Sequence, residues 1–195
     1  MSRMNAAGCC LVTLLTVLAG GAAREARATD VVATADIAAG TCKVSVSPDR
    51  PPFPMVSPDD LRDGSIHGLT PITVHLQDCR GAGPQNTLPS LNIDGNTIPV
   101  ADNPQGAYLF SDADSQVKSV GFVLSDADTT QWDTAHLQQP GYVTVPGDSP
   151  LLGDVDMQYW VGVACGTAAS CTDAMQDETH TGLVRASIRF NFDYH

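Results

Sequence analysis

GLVRASIRFNFDYH, residues 182–195, alternates with period two. Val184, Ala186, Ile188, Phe190, Phe192 and Tyr194 fall on one face, and Arg185, Ser187, Arg189, Asn191 and Asp193 on the other. That period belongs to a half-buried β-strand. It is the best-patterned strand of the chain, yet it occupies a terminus, where most chains are polar and frayed. No later segment is left to flank it, so the strand presents a long, flat, apolar edge, which native proteins usually blunt. Arg185 and Arg189 lie on the opposite face and give that edge no protection. The pattern therefore predicts a strand supplied from outside, by β-strand addition.

Working outward, the rest of the chain reads as short alternating runs separated by turn residues. ADIAAGTCKVSVS (Ala35 to Ser47) carries Ile37, Val44 and Val46. PITVHLQDC carries Ile72, Val74 and Leu76, with His75 on the polar face. In LPSLNIDGNTIPV, Asp94-Gly95 between Ile93 and Ile98 predicts a hairpin turn. SVGFVLSD and DVDMQYWVGVAC supply two more strands. SPDRPPFPMVSPDD and CRGAGPQNT, rich in Pro, Gly and Asp, read as loops. No segment of helical period is long enough to count. Six or so short strands predict an antiparallel sandwich of immunoglobulin type.

The amino terminus has another purpose. Arg3 followed by CCLVTLLTVLAG reads as a secretory signal, with an apolar run too short to span a bilayer. The expected boundaries are 1–28 for the signal, with a cut after Ala28 or as early as residue 22, and 29–195 for one domain with a short N-terminal extension. Removing residues 1–28 takes three of ten basic and one of 22 acidic residues, leaving seven against 21 and a net charge of −14. So acidic a surface repels nucleic acid. Cys9 and Cys10 leave with the signal. Cys42, Cys79, Cys165 and Cys171 remain, an even count that reads as disulfides in an exported chain. Three pairings are open, and nearest-neighbour pairing, Cys42–Cys79 with Cys165–Cys171, is the simplest.

Four features make the chain resemble a fimbrial (pilin) subunit of the bacterial chaperone–usher family, of the type 1 fimbrial kind. Cys42 lies early, in AAGTC, and Cys79 ends the strand ITVHLQDC. GAYLFSDADSQVKSVGFVLSD is similar to the family's polar loop followed by a Gly-containing apolar strand. Gly182 is fourteenth from the end and Tyr194 is penultimate, on the alternating terminal strand. The resemblance covers residues 35–195. It implies an all-β, incomplete immunoglobulin-like sandwich that lacks its last strand and is completed by donor-strand exchange. Gly182, Val184, Ala186, Ile188, Phe190, Phe192 and Tyr194 would form the strand-exchange groove, with the His195 carboxylate anchored on a chaperone. The implied partners are a periplasmic chaperone, an outer-membrane usher and other pilus subunits, with export through the periplasm to a surface fimbrium. The implied role is a structural subunit that polymerises, supports cell adhesion and needs no cofactor. The alternative is a minor or tip-located subunit or adhesin that binds a host receptor.

Other chemistry finds little support. SDAD occurs at Ser111 to Asp114 and again at Ser125 to Asp128, but the glycine and glutamate of an EF-hand loop do not follow. Cys165, Cys171 and His180 lack a zinc spacing. No nucleophile motif of the G-x-S-x-G kind occurs, and no carboxylate pair stands out. Trp132 and Trp160 are read as packing residues rather than as a sugar platform. No catalytic residue and no metal ligand is expected.

Overall fold

A computed structural model of the protein describes residues 40–147, 153–174 and 182–195, all within one compact unit, Ile37–His195. The signal and the N-terminal extension lie outside these residues, as do Ala35 to Ala39 of the first expected strand and His180.

Among the described residues, eight strands build two antiparallel sheets. They are β1 (Thr41–Ser47), β2 (His67–Arg80), β3 (Pro89–Asp94), β4 (Gly121–Ser125), β5 (Leu137–Gln138), β6 (Gly141–Thr144), β7 (Val155–Ala164) and β8 (Arg189–Tyr194). One sheet runs β1-β2-β7-β4-β5 and the other β6-β3-β8. Alternation decides which side chains meet between them. Ile72, Val74 and Leu76 of β2, Leu91 and Ile93 of β3, Leu124 of β4, and Tyr159 and Val161 of β7 form the buried core. Each such side chain contributes about 1.5–3 kcal/mol by leaving water. Burial pushes the Tyr159 phenol up to about 12, so it stays neutral in the core. On the outer face of the larger sheet, Val123 and Ala164 are covered by Ile98 and Leu109. Trp132 packs there too, edge-on to Tyr108 with ring centroids 6.3 Å apart.

The structure adds two strands to the expected set and removes one turn. β5 and β6 are two and four residues long, too short for a periodic signal, and the chain passes from one sheet to the other across Gln139-Pro140. Asp94-Gly95 makes no hairpin, because β3 pairs with β6 and β8 and not with the segment that follows it. Gly95 is required by close approach instead. A Cβ there would stand 2.8 Å from the Ser187 carbonyl and 2.9 Å from the Phe110 ring.

Two short helices also form, the first at the end of a segment read as a loop. In α1 (Pro58–Leu61) a capping box provides the start. The Asp60 amide donates to Ser57 Oγ at 3.2 Å, and the Ser57 amide donates to Asp60 Oδ2 at 3.0 Å. The Ser57 hydroxyl, donating to Asp60 Oδ2 at 2.7 Å, and then the Ser57 amide hold the Asp60 carboxyl below the usual carboxylate range. α2 (Ala168–Ala174) begins inside the loop closed by the Cys165–Cys171 disulfide. The second disulfide joins Cys42 to Cys79 across β1 and β2.

Candidate functional site

β8 is an edge strand with β3 on one side and no strand on the other among the described residues. The parity of its hydrogen bonds follows from a single pair. The His195 amide donates to the Leu88 carbonyl and the Leu88 amide to the His195 carbonyl, both at 3.0 Å. In an antiparallel ladder such exchanging pairs recur at every second residue. Asp193, Asn191 and Arg189, facing Ser90, Asn92 and Asp94, therefore turn their peptide groups towards β3. Phe190 and Phe192 turn theirs to the outer edge.

The segment before β8 keeps the same parity with a different partner. The Asp112 amide donates to the Arg185 carbonyl at 2.7 Å, and the Gln116 amide to the Leu183 carbonyl at 2.8 Å. Ser115, 2 % exposed, accepts from the Arg185 amide and donates to the Arg185 carbonyl, each at 3.0 Å, and accepts from the Ser111 hydroxyl as well. Its single proton and both lone pairs are thus in use. Arg185 also bonds the Asp114 carboxylate at 3.1 Å, and the Ser187 hydroxyl donates to Asp112 at 2.8 Å. The first SDAD, together with Ser115 and Gln116, is the clamp on the terminal segment. Ser115→Ala is expected to lower stability by about 1–3 kcal/mol, since it strips both main-chain groups of Arg185 of a buried partner, as a urea titration would measure. A change within about 0.3 kcal/mol would mean that the Asp112 bond alone holds the segment.

Side chains follow the same alternation. Val184, Ala186, Ile188, Phe190, Phe192 and Tyr194 are half-buried, while Arg185, Ser187, Arg189, Asn191 and Asp193 are exposed. Val184, Ala186, Ile188 and Phe190 border an apolar groove of two adjoining cavities. One, of about 270 Å³, is lined by Ala186, Ile188 and Phe190 against Val46, Ile72 and Val161. The other, of about 540 Å³, lies against Val184, Leu61, Val117, Val120 and Val163. The residues that offer side chains to the groove from Val184 to Phe190 are the ones whose peptide groups face the open edge. A strand laid there meets both kinds of recognition at once.

Gly182 passes so close to Gln116 that a Cβ would stand 2.8 Å from the Gln116 Cβ. The Tyr194 ring sits on Gly83, where any side chain would collide with it, and its hydroxyl lies against Gly40. His195 stacks on Tyr142 at 4.0 Å between centroids. Cys42 and Cys79 are half-buried beside the core, and Cys165 and Cys171 are fully buried under the larger cavity's wall. Phe53 and Leu61, both groove residues, escaped sequence reading because they belong to a proline-rich stretch without period. The capping box at Ser57 and Asp60 was the available signal for Leu61. His75 lies 2.6 Å from Asp156, its cross-strand partner. Among the described residues no cluster of three His, Cys, Asp or Glu is arranged to hold a metal ion, and no helix is long and apolar enough to cross a membrane.

The sequence matches no protein-family model and none of the curated proteins. In three dimensions the chain is similar to the P pilus rod subunit PapA, with a TM-score of 0.50 and 14 % identity over 85 % of this chain and 99 % of that one. It is also similar to a structure of a chaperone–usher pilus, with a TM-score of 0.49 and 16 % identity over 88 % and 97 %. What the likeness to the rod subunit carries is the fold. The chain shares the incomplete immunoglobulin-like sandwich of pilus subunits.

Proposed function

We propose that this protein is a structural subunit of a chaperone–usher pilus, and that the groove beside Val184–Tyr194 receives a β-strand from another protein. The observation that supports this reading is the one-sided pairing of the terminal strand, with half-buried apolar residues along an open edge. A strand seated there completes both the three-stranded sheet and the core, so folding and assembly draw on the same contacts. In this reading a periplasmic chaperone occupies the groove first, the outer-membrane usher exchanges subunits, and the next subunit occupies it in the surface fimbrium. Gly182, Val184, Ala186, Ile188, Phe190, Phe192, Tyr194 and His195 are the recognition strand, residues 29–195 are the mature domain, and cell adhesion is the activity of the polymer. No catalytic step is involved.

The experiment adds extended peptides to the exported chain and follows thermal unfolding. One pool alternates Thr with inward residues drawn from Ala, Val, Leu and Phe, and a second has the same composition without alternation. A strand that binds only the folded chain stabilises it by about 2.7 kcal/mol at a hundredfold excess over Kd, which moves Tm upward by about 5–10 °C. The alternating pool is expected to do this and the scrambled pool is not. Equal effects, or none, would remove the reading.

A further inference from the structure

We infer that the uncovered strip of the larger sheet beside Trp160 is a carbohydrate site. It takes a neutral pyranoside whose flat C–H face stacks on the indole and whose hydroxyls reach the polar residues of β2 and β7. The strip lies on the outer face of that sheet, opposite the groove, so the inference goes beyond the pilus-subunit reading and does not depend on strand capture.

The two tryptophans of the chain sit in different surroundings. Trp132 belongs to the apolar layer that covers part of the outer face, with Ile66, Ile98 and Leu109. That layer reaches its margin over Gly162, where any side chain would collide with Ile66. Trp160 is the next outward residue of β7, since Tyr159 and Val161 on either side of it enter the core. It is half-buried, with Pro71 and Ser125 as its cross-strand neighbours. Beyond the indole the outer face turns polar. Gln158 and Asp156 are exposed on β7, Thr73 and His75 are half-buried on β2, and Ser45 and Ser47 are exposed on β1. From Trp160 to Asp156 the strip runs about 13 Å, and across three strands about 10 Å, the footprint of a disaccharide.

Its chemistry selects the ligand. His75 is held with Nδ1 2.6 Å from Asp156 Oδ1. In the neutral ring Nδ1–H donates to that carboxylate and Nε2 is left as an acceptor. The Gln158 amide and the Thr73 hydroxyl add donors and acceptors of both kinds. The cation on this face of β1 is Lys43, opposite Gln77 at the end of the strip away from Trp160. An anionic group therefore meets Asp156 in a strongly acidic chain, with no positive partner beside the indole. A peptide strand finds nothing to pair with either, because β2 and β7 are hydrogen-bonded on both sides. An uncharged, polyhydroxylated ligand with one flat apolar face matches the ring and its polar border together.

The test titrates the exported chain with lactose, cellobiose and N,N′-diacetylchitobiose, and with 3′-sialyllactose as a charged counterpart, followed by saturation-transfer NMR. The best neutral disaccharide is expected to bind with a Kd of about 1–10 mM, the scale of one stacked ring and a few hydrogen bonds, and 3′-sialyllactose more weakly. Trp160→Ala is expected to weaken binding about tenfold or more. Gln158→Ala, an exposed position whose loss leaves folding intact, is expected to weaken it about threefold or more and decides the matter should Trp160→Ala fold poorly. Trp132→Phe is expected to leave the affinity unchanged. No saturable binding of any neutral disaccharide, tighter binding of 3′-sialyllactose, or full affinity in Trp160→Ala or Gln158→Ala would overturn the assignment. Stabilisation by the alternating peptides, measured on the same preparations, separates the two readings, since the sugar site and the groove occupy opposite faces and each can fail alone.

Discussion

Ile188→Asp is expected to abolish surface polymer, whereas Asn191→Asp leaves it near the wild-type amount. Ile188 is half-buried and lines the smaller cavity; Asn191 is exposed on the opposite face of the same strand. In the empty subunit a carboxylate at 188 still reaches water through the groove, so the isolated chain loses only part of the contribution of the isoleucine. Once a strand is seated, that carboxylate is closed off without a partner. Assembly then loses about 1.5–3 kcal/mol of apolar burial together with the cost of burying a charge, more than about a hundredfold in strand affinity. Asn191→Asp introduces the same charge at the surface, where substitutions stay within about 0.5 kcal/mol. Arg189 is a poorer comparison, because it faces Asp94 across the ladder with its guanidinium 3.6 Å from that carboxylate, and an aspartate there would set two like charges side by side. Shed-polymer yield and periplasmic subunit level, measured for both variants, check the result. Equal yields would mean that no strand reads the alternation of β8.

The second large effect concerns β1. Among the described residues its one strand partner is β2, and the Cys42–Cys79 disulfide ties the two at one end of that pairing. A separation of 37 residues makes the bond worth about 3–4 kcal/mol through the unfolded chain. The Cys165–Cys171 bond spans six residues and is worth about 2–2.5 kcal/mol on the same account. Cys42→Ala with Cys79→Ala is therefore expected to lower Tm by about 8–14 °C, and Cys165→Ala with Cys171→Ala by about 5–9 °C. The first pair should also weaken strand capture, because Val46 of β1 is a wall of the smaller cavity. Thermal scans and peptide binding on both double variants check this. A larger loss from the second pair would show that packing around the buried Cys165 and Cys171, and not loop length, ranks the two bonds.

The resemblance read from the sequence and the likeness found in space agree on the pilus-subunit sandwich. They agree because one local property carries both. A strand's side-chain period is two whatever it packs against, so Val184 to Tyr194 declare a half-buried strand without knowledge of any partner. The same holds for Ile72, Val74 and Leu76, which alternate into the core as the sequence indicates. Where the local signal was short or had another cause, it misled. β5 and β6 are too brief to show a period, and the Asp94-Gly95 pair serves close packing against Phe110 and Ser187 instead of a turn.

What tertiary structure alone decided is the form of the groove. Which edge of the terminal strand stays open depends on β3 and the Ser111–Gln116 loop taking the other, through contacts about 70 to 100 residues distant in sequence. That the open edge and the apolar face are offered by the same residues follows from the register of one hydrogen-bonded pair, Leu88 with His195. The place of Phe53 on the groove's wall depends on a proline-rich segment folding back across β2 onto Phe122. Alternation is a property of neighbours along the chain and is legible there. An unfilled groove is a property of what distant segments leave uncovered, and only their packing defines it.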